Sequence, residues 1–312
     1  MKFPFSIFRF LLSVICLSLL CEAGCGPRSY WQISAPRGEF RFQFLLTFGT
    51  AGNAPGEFLD PQGLCLDPLG NLYVADTGND RIQKFDSAGK FLVQFGSFGW
   101  DPGQFNKPTD VAVRTSLNFY VVDSHNRRLQ VFDADLTPVA EITGDFGWLA
   151  GIAISNYGDI YMTDTEDNRL IKIDPFGRVE VDFTGFGAES LLNPTGLALG
   201  REKNIYVCDS GNNRIAVFDQ FGSLLFYFGE EVLSEPEGIS VNSLGEVFVA
   251  DTGGHGVMVF DEKGNLLRRI GAKGTAGGFF QTPRDVAAND DFLYVLDSGN
   301  SRVQKFKVVR NY

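Results

Sequence analysis

The chain has 312 residues with 36 Gly, 30 Phe, 9 Tyr and 3 Trp, and its 44% hydrophobic content excludes wholesale disorder. The formal net charge of −11 argues against nucleic-acid binding, because a protein that follows a phosphate backbone needs a basic surface. This length suits two domains or one large all-β domain, and the surplus of Gly and Phe favours β structure with many turns.

The first 24 residues predict a signal peptide. Lys2 and Arg9 are the charged residues of the opening segment, and the run Phe10 to Cys21 is apolar apart from Ser. A bilayer-spanning helix needs about 20 apolar residues, so this shorter run suits the apolar region of a signal peptide. We therefore predict export, with residues 25–39 as a tether.

The end of this segment resembles the lipobox of bacterial lipoproteins. Ala23 and Gly24 precede Cys25, the residue that would be lipidated, but Glu22 stands where that box has an aliphatic residue. The resemblance implies a lipid anchor in the cell envelope, on the outer membrane or the periplasmic side. The alternative is ordinary cleavage near Ala23, which would yield a soluble secreted or periplasmic protein.

One unit recurs six times in the rest of the chain. Each copy has an alternating run that ends in Asp, a turn, and a second alternating run, as in an antiparallel hairpin. The copies are YVADTGNDRIQKFD, YVVDSHNRRLQVFD, YMTDTEDNRLIKID, YVCDSGNNRIAVFD, FVADTGGHGVMVFD and YVLDSGNSRVQKF. Their aspartates are separated by 47, 41, 45, 42 and 46 residues, the period of a four-stranded propeller blade.

Two flanking signals recur with the unit. A Pro-x-Gly or Pro-x-Asp step opens a strand before five of the copies, and Leu149 with Gly151 takes its place in the third. Most units close on Phe-Gly, at Phe48-Gly49, Phe95-Gly96, Phe146-Gly147, Phe186-Gly187 and Phe228-Gly229, with Ile270-Gly271 in the fifth unit.

These motifs resemble the NHL repeat from about Phe40 to Phe306. The resemblance implies an all-β fold, a six-bladed propeller of four-stranded antiparallel blades over residues 40–312. The last unit lacks a fourth strand, and the first Phe-Gly strand lacks three preceding strands. We expect the N-terminal strand to complete the last blade and close the ring, which removes a sheet edge.

The repeated aspartates are each followed, in five units, by an arginine five positions later. The structural interpretation has the carboxylate accept turn N–H groups while the arginine pairs with a carboxylate or carbonyl. The functional interpretation is a ring of carboxylates that binds a ligand or cation. Repetition favours the structural one for Asp76, Arg81, Asp123, Arg128, Asp164, Arg169, Asp209, Arg214, Asp251, Asp297 and Arg302.

The departures from the repeat give the candidate ligand residues. In the fifth unit, the turn after Asp251 contains His255, and Gly256 replaces the arginine. The second unit holds the other histidine, His125, and Trp148 lies in a loop that opens a blade. The two histidines belong to opposite units of a six-membered ring, so we predict that they do not share a metal ion.

A binding scaffold for a protein, peptide or glycan is the leading functional hypothesis, with a monomeric chain and no nucleic-acid partner. No nucleophile elbow, zinc-protease motif or phosphate loop is present, and Cys65 and Cys208 lie in strand-like runs typical of buried thiols. No catalytic residue and no cofactor is therefore predicted. The alternative, implied by six-bladed relatives, is an enzyme working at the central channel, either a lactonase-like hydrolase that depends on calcium or an amidating-lyase-like enzyme.

Overall fold

The computed structural model describes residues 39–115, 118–183 and 190–311. The predicted signal peptide and tether, with Cys25, lie outside the described residues apart from Glu39 at the tether's end. Within the described part, no helix is long and apolar enough to cross a bilayer.

The described chain forms six antiparallel sheets of four strands each. In chain order, strands β1 to β24 are Glu39–Phe48, Gly63–Leu66, Leu72–Asp76, Arg81–Phe85, Phe91–Phe95, Pro108–Thr115, Asn118–Asp123, Arg128–Asp133, Pro138–Thr143, Leu149–Ile154, Ile160–Asp164, Arg169–Ile173, Val179–Phe183, Pro194–Leu199, Ile205–Asp209, Arg214–Phe218, Leu224–Phe228, Pro236–Val241, Val247–Asp251, Gly256–Phe260, Leu266–Ile270, Pro283–Ala288, Phe292–Asp297 and Arg302–Asn311. Short 3₁₀ turns occupy Thr77–Asn79, Ser124–Asn126, Ser210–Asn212 and Ser298–Asn300.

Blades 1 to 5 are consecutive strand quartets, β2–β5, β6–β9, β10–β13, β14–β17 and β18–β21. Blade 6 combines β22, β23 and β24 with β1, which pairs antiparallel with β24 from Glu39↔Asn311 to Phe48↔Val303. This confirms the predicted six-bladed propeller and its closure by the N-terminal strand.

Two faces follow from the antiparallel order of the strands. The Asp-turn face carries the turns between second and third strands and the connections between blades. The hairpin face carries the turns between first and second strands and between third and fourth strands. Asn311 ends β24 on the hairpin face, and Glu39 pairs with it, so the chain enters the propeller at that face.

The core lies between the blades, because alternate side chains of each strand point to opposite neighbours. In β19, Val249 packs into the cluster shared with blade 4, whereas Phe248 and Ala250 pack towards blade 6. Each connection between blades also inserts one buried apolar side chain; these are Phe58, Phe105, Phe146, Leu191, Leu233 and Phe280.

The prediction that Phe146-Gly147 closes the second unit is wrong. The outer strand of blade 2 ends at Thr143, and Ile142 takes the register position opposite Leu129. Phe146 instead fills the slot at the opening of blade 3, where it is 4% exposed. Phe186-Gly187 lies outside the described residues, and β13 ends at Phe183.

Candidate functional site

The repeated aspartates lie buried at the end of each second strand. Asp76 Oδ1 accepts a hydrogen bond from the Leu59 N–H at 2.8 Å, and its Oδ2 accepts from Arg81 Nε at 2.7 Å. Asn79 and Gln83 side-chain amides donate to the same Oδ2, each at 2.9 Å. A carboxylate with this many donors holds the connection, the turn and two strands together.

The same arrangement recurs around the ring. In each blade the aspartate accepts a main-chain N–H of the preceding connection, at Asn106, Gly147, Leu192, Ser234 and Gln281. Arg128, Arg169, Arg214 and Arg302 pair with their aspartates at 2.7 to 3.1 Å. The sequence analysis missed the glutamines at the Gln83 position, Gln130 and Gln304, which donate to Asp123 and Asp297. They follow Asp by seven residues, a spacing visible in the repeat.

Asp251 lacks the arginine partner that the aspartates of the other five blades have. Its Oδ1 accepts from the Ser234 N–H at 2.6 Å, and Gly254 also donates a backbone N–H. Burial raises the pKa of Asp251 above its ordinary value, and these two N–H groups oppose the rise. Arg269 approaches the turn from β21 and donates to the Gly254 carbonyl at 2.8 Å. In blade 5, an arginine from the fourth strand therefore partly takes the place of the missing one.

His255 joins blade 5 to blade 6. It has φ of 54°, and its Nδ1 accepts the Thr282 N–H at 3.1 Å. The equivalent left-handed residues Asp80, Asn168 and Asn213 accept the N–H that opens the next blade at 2.8, 2.6 and 2.7 Å. An acceptor Nδ1 places the proton of a neutral imidazole on Nε2. His255 thus occupies a position that the fold uses in other blades as well.

The junction of blades 2 and 3 departs from this pattern. Arg127 holds the left-handed position there and pairs with Glu166 at 2.9 Å. Trp148 directly precedes the first strand of blade 3, at the position that Lys107 and Asn193 hold before blades 2 and 4. Its ring stacks on that of His125, with ring centroids 5.7 Å apart and ring planes 26° apart. The structure therefore brings two predicted site residues together, whereas Asp251 and His255 lie in blade 5 on the opposite side of the ring.

A second aromatic pair lies beside the first. Phe98 and Trp100 meet edge to face at 5.2 Å, and the Asn126 side chain donates to the Gly99 carbonyl between them at 2.9 Å. Phe98, Trp100 and Trp148 are 57%, 65% and 51% exposed. We call Phe98, Trp100, His125 and Trp148 the aromatic shelf. It lies on the Asp-turn face, and such exposed aromatic area marks an interaction site in many proteins.

The six first strands surround a central cavity of about 330 Å³. At equivalent positions these strands carry Gly63, Asp110, Gly151, Gly196, Gly238 and Asp285. The strands approach so closely there that a Cβ at Gly63 would lie 2.6 Å from Asp110 Oδ1. Glycine at four of the six positions thus follows from packing, and the two aspartates are exceptions that the sequence analysis did not single out. Their signal was an acid where the Pro-x-Gly step has Gly.

Each channel aspartate links two blades. The Asp110 carboxylate accepts hydrogen bonds from the N–H of the next residue, Val111, at 2.7 Å and from the Ile152 N–H of blade 3 at 2.9 Å. Asp285 accepts the N–H of Val286 at 2.7 Å and that of Leu64, in blade 1, at 2.7 Å. Both carboxylates therefore flank the Gly63–Leu64 segment of the first blade.

Burial raises the pKa of Asp110 to about 7, although its two backbone donors favour the charged form. Burial and the nearby Asp110 carboxylate raise the pKa of Asp285 well above its ordinary value. One of the two is therefore readily protonated at neutral pH, because neighbouring carboxylates that are partly shielded from water resist double ionisation.

Other polar groups lie near the channel. Burial raises the pKa of Glu237, whose carboxylate lies 3.6 Å from the Arg284 guanidinium. Burial and the channel aspartates raise the pKa of the Cys65 thiol well above 9.0, and burial does the same at Cys208. A thiol with a raised pKa is a poor nucleophile. Among the residues that the structure describes, no three His, Cys, Asp or Glu side chains converge as metal ligands.

Comparison with known proteins identifies the repeat. The family model of the NHL repeat matches five segments, residues 58–85, 105–132, 191–218, 233–260 and 280–306. The chain belongs to the NHL repeat family. The third blade, whose opening connection carries Trp148 and lacks Pro, has no matched segment.

A stretch of 45 residues is 47% identical to protein lin-41 of Caenorhabditis elegans, and covers 14% of this chain and 4% of that protein. Virginiamycin B lyase of Staphylococcus aureus is structurally similar, with a TM-score of 0.60, 15% identity and coverage of 87% of this chain and 100% of the lyase. A protein from Bacteroides thetaiotaomicron gives a TM-score of 0.69 at 14% identity over 87% of this chain and 76% of that one. At these identities the structural likenesses establish the propeller fold.

Proposed function

We propose that this NHL propeller is exported, is tethered to a membrane through Cys25, and acts as a non-enzymatic scaffold that holds a protein, peptide or glycan on the aromatic shelf. The observation that carries the proposal is the stacked, exposed pair His125–Trp148. Solvent-exposed tryptophan faces bind sugar rings and peptide side chains, and aromatic residues dominate the energetics of binding sites.

The position of the shelf supports this use. Trp148 departs from the repeat at a connection where the other blades have a polar residue, so the fold does not require its indole. The Arg127–Glu166 ion pair borders the shelf and adds polar groups to its rim. An apolar centre with a polar edge is typical of binding surfaces.

Arrays of defined peptides and glycans test the scaffold. A ligand of the wild-type protein should lose at least about tenfold in affinity with Trp148→Ala, since central aromatic residues are binding hot spots. Phe279→Ala is the matched control, because Phe279 is 44% exposed on the same face in blade 6. Equal losses in both variants, or none in either, would place the ligand elsewhere.

Export and anchoring are tested separately. Lys2, Arg9 and the run Phe10 to Cys21 support export, and Ala23-Gly24-Cys25 supports lipidation. Metabolic labelling with a radioactive fatty acid should mark the wild-type chain and not Cys25→Ser, which should appear in the soluble fraction. A membrane-bound, unlabelled wild-type chain would contradict the lipid anchor.

An enzyme working in the channel is the second candidate. The paired carboxylates Asp110 and Asp285 favour it, because two interacting carboxyl groups with raised pKa values are suited to acid–base chemistry near neutral pH. The virginiamycin B lyase has the same fold and is named for an enzymatic activity.

Calcium is poorly matched by these two carboxylates alone. The ion takes 6–8 oxygen ligands, and all four carboxylate oxygens here already accept backbone N–H groups. Elemental analysis with thermal unfolding in chelator tests the cofactor. A stoichiometric, stabilising calcium would favour the enzyme, and a metal-free protein with an unchanged transition would favour the scaffold.

A further inference from the structure

The hairpin face carries the most exposed apolar side chains of the described residues. Phe176, Leu69, Phe221 and Tyr157 are 84%, 77%, 72% and 70% exposed, more than Phe98, Trp100 or Trp148 of the aromatic shelf. All four lie in turns between first and second strands or between third and fourth strands, and Leu244, at 45%, lies in another such turn. They therefore protrude from the same side of the propeller.

The turns do not need these side chains. In blade 4 the Asp219 carboxylate accepts the N–H groups of Phe221 and Ser223, so the turn uses only the main chain of Phe221. The same two hydrogen bonds form in blades 1, 2, 3 and 5, where the residue in the Phe221 position is Ala88, Asp135, Phe176 and Lys263. Since Ala, Asp and Lys serve equally well, the two phenylalanines have no role in forming the turn.

Cationic side chains accompany two of the apolar tips. The Lys203 ammonium lies 4.8 Å from the Tyr157 ring centroid, and the Arg178 guanidinium lies 5.5 Å from that of Phe176. Lys and Arg beside aromatic rings are suited to the headgroup region of a bilayer, where the ring enters the apolar boundary and the charge stays with phosphate.

The path of the chain points to the same face. Glu39 opens β1 at the hairpin face, opposite Asn311, and Cys25 lies 14 residues earlier in the sequence. Even a fully extended segment of that length reaches at most about 50 Å. The described chain therefore enters the propeller on the side from which the apolar tips project.

We propose that the hairpin face docks on the surface of a phospholipid bilayer by inserting Tyr157, Phe176 and Phe221, which turns the aromatic shelf away from the membrane. Separate tips on adjacent turns of blades 3 and 4 form no groove for a peptide, whereas a fluid, planar surface accepts each of them independently. The net charge of −11 gives no attraction to anionic lipid, so the apolar tips carry the contact and zwitterionic lipid suffices. The docking does not depend on which ligand the shelf binds.

Brominated phosphatidylcholine vesicles test the orientation, because bromine on the acyl chains quenches tryptophan that reaches them. In the full chain reconstituted in these vesicles, Phe176→Trp and Phe221→Trp should each add tryptophan fluorescence that bromine quenches about twofold, since interfacial side chains reach the acyl boundary. Phe98→Trp, on the opposite face, is the matched control and should add an unquenched component, as should native Trp100 and Trp148.

Vesicle flotation separates this inference from the proposed anchor. A chain that floats while Phe176→Trp and Phe221→Trp stay unquenched would retain the anchor and overturn the docking. A chain that does not float would overturn the docking as well. Equal quenching at positions 98 and 176 would also overturn it. A dimer in solution that reverts to monomer with Phe176→Ala and Phe221→Ala, without quenching, would assign the face to a second copy.

Discussion

At the scale of single residues, the aspartates of this propeller fall into two groups with opposite electrostatics. Asp209, at the end of a second strand, accepts the Leu192 N–H, the Asn212 amide and Arg214 Nε. Asp110, in the channel, is half-buried and has two backbone donors and a second carboxylate nearby. The Arg214 guanidinium pairs directly with the first carboxylate, whereas burial raises the pKa of the second.

Removing a turn aspartate should destabilise the fold. Asp209→Ala leaves the Leu192 N–H and Arg214 Nε without their acceptor, and the free energy of unfolding should fall by roughly 1–3 kcal/mol. Chemical denaturation of the purified chain measures the change. Asp219→Ala, in an exposed turn of the same blade, is the control and should cost less. An unchanged stability together with a lost ligand would contradict a structural role.

The channel aspartates should make stability depend on pH. The pKa of Asp110 is about 7 in the folded chain, above its ordinary value of 3.8, so the folded state prefers the protonated form. Its contribution to stability is complete below about pH 4 and is lost as the pH rises through about 7. Between pH 5 and 8, this group should lower the free energy of unfolding by roughly 2–3 kcal/mol.

Thermal unfolding of Asp110→Asn across that range checks this. The variant loses one N–H acceptor at every pH, but it should gain on the wild type as the pH rises. The double variant, Asp110→Asn with Asp285→Asn, should have a stability that depends still less on pH, because the pair titrates together. Parallel pH curves for all three proteins would show that the channel carboxylates are already ionised at pH 5.

At the scale of the strands and connections, the blades were predictable and one connection was not. Alternation, turn residues and the spacing of the repeated aspartates are local features, so the four-strand blade and the pairing of Asp76 with Arg81 across β3 and β4 followed from sequence. Phe146 was misplaced because Phe-Gly occurs by coincidence in the connection. Only the register of β8 with β9 shows that Ile142 holds the strand position.

The buried connection residues should matter more than exposed ones of the same type. Phe146→Ala removes a side chain that is 4% exposed between blades 2 and 3, and should cost about 3–5 kcal/mol in unfolding free energy. Phe176→Ala, 84% exposed, should stay within about 0.5 kcal/mol of the wild type. Similar losses in both variants would contradict the core role of Phe146.

At the scale of the whole molecule, the candidate sites lie on two separate faces and in a channel. The Asp-turn face carries the aromatic shelf, the hairpin face carries the exposed apolar tips and the chain entry, and the channel carries the carboxylate pair. Closure by β1 ties the first described strand to the last, so both ends of the described chain share blade 6 and leave by the hairpin face. The proposed lipid anchor and docking would leave the Asp-turn face turned away from the membrane.

The amino-acid sequence alone determined the repeat, the blade number and the position of each Asp turn, because these depend on side-chain alternation and turn chemistry within about 50 residues. The strand that closes the ring followed from comparing the first and last units, since each lacks the strands that the other has. Only the tertiary structure decided which of the residues that depart from the repeat come into contact. Asp285 reaches the Leu64 N–H across 221 positions, and His125 stacks on Trp148 from a neighbouring blade. Such contacts depend on how six sheets close around an axis, and the geometry of a closed ring is not encoded in any single repeat.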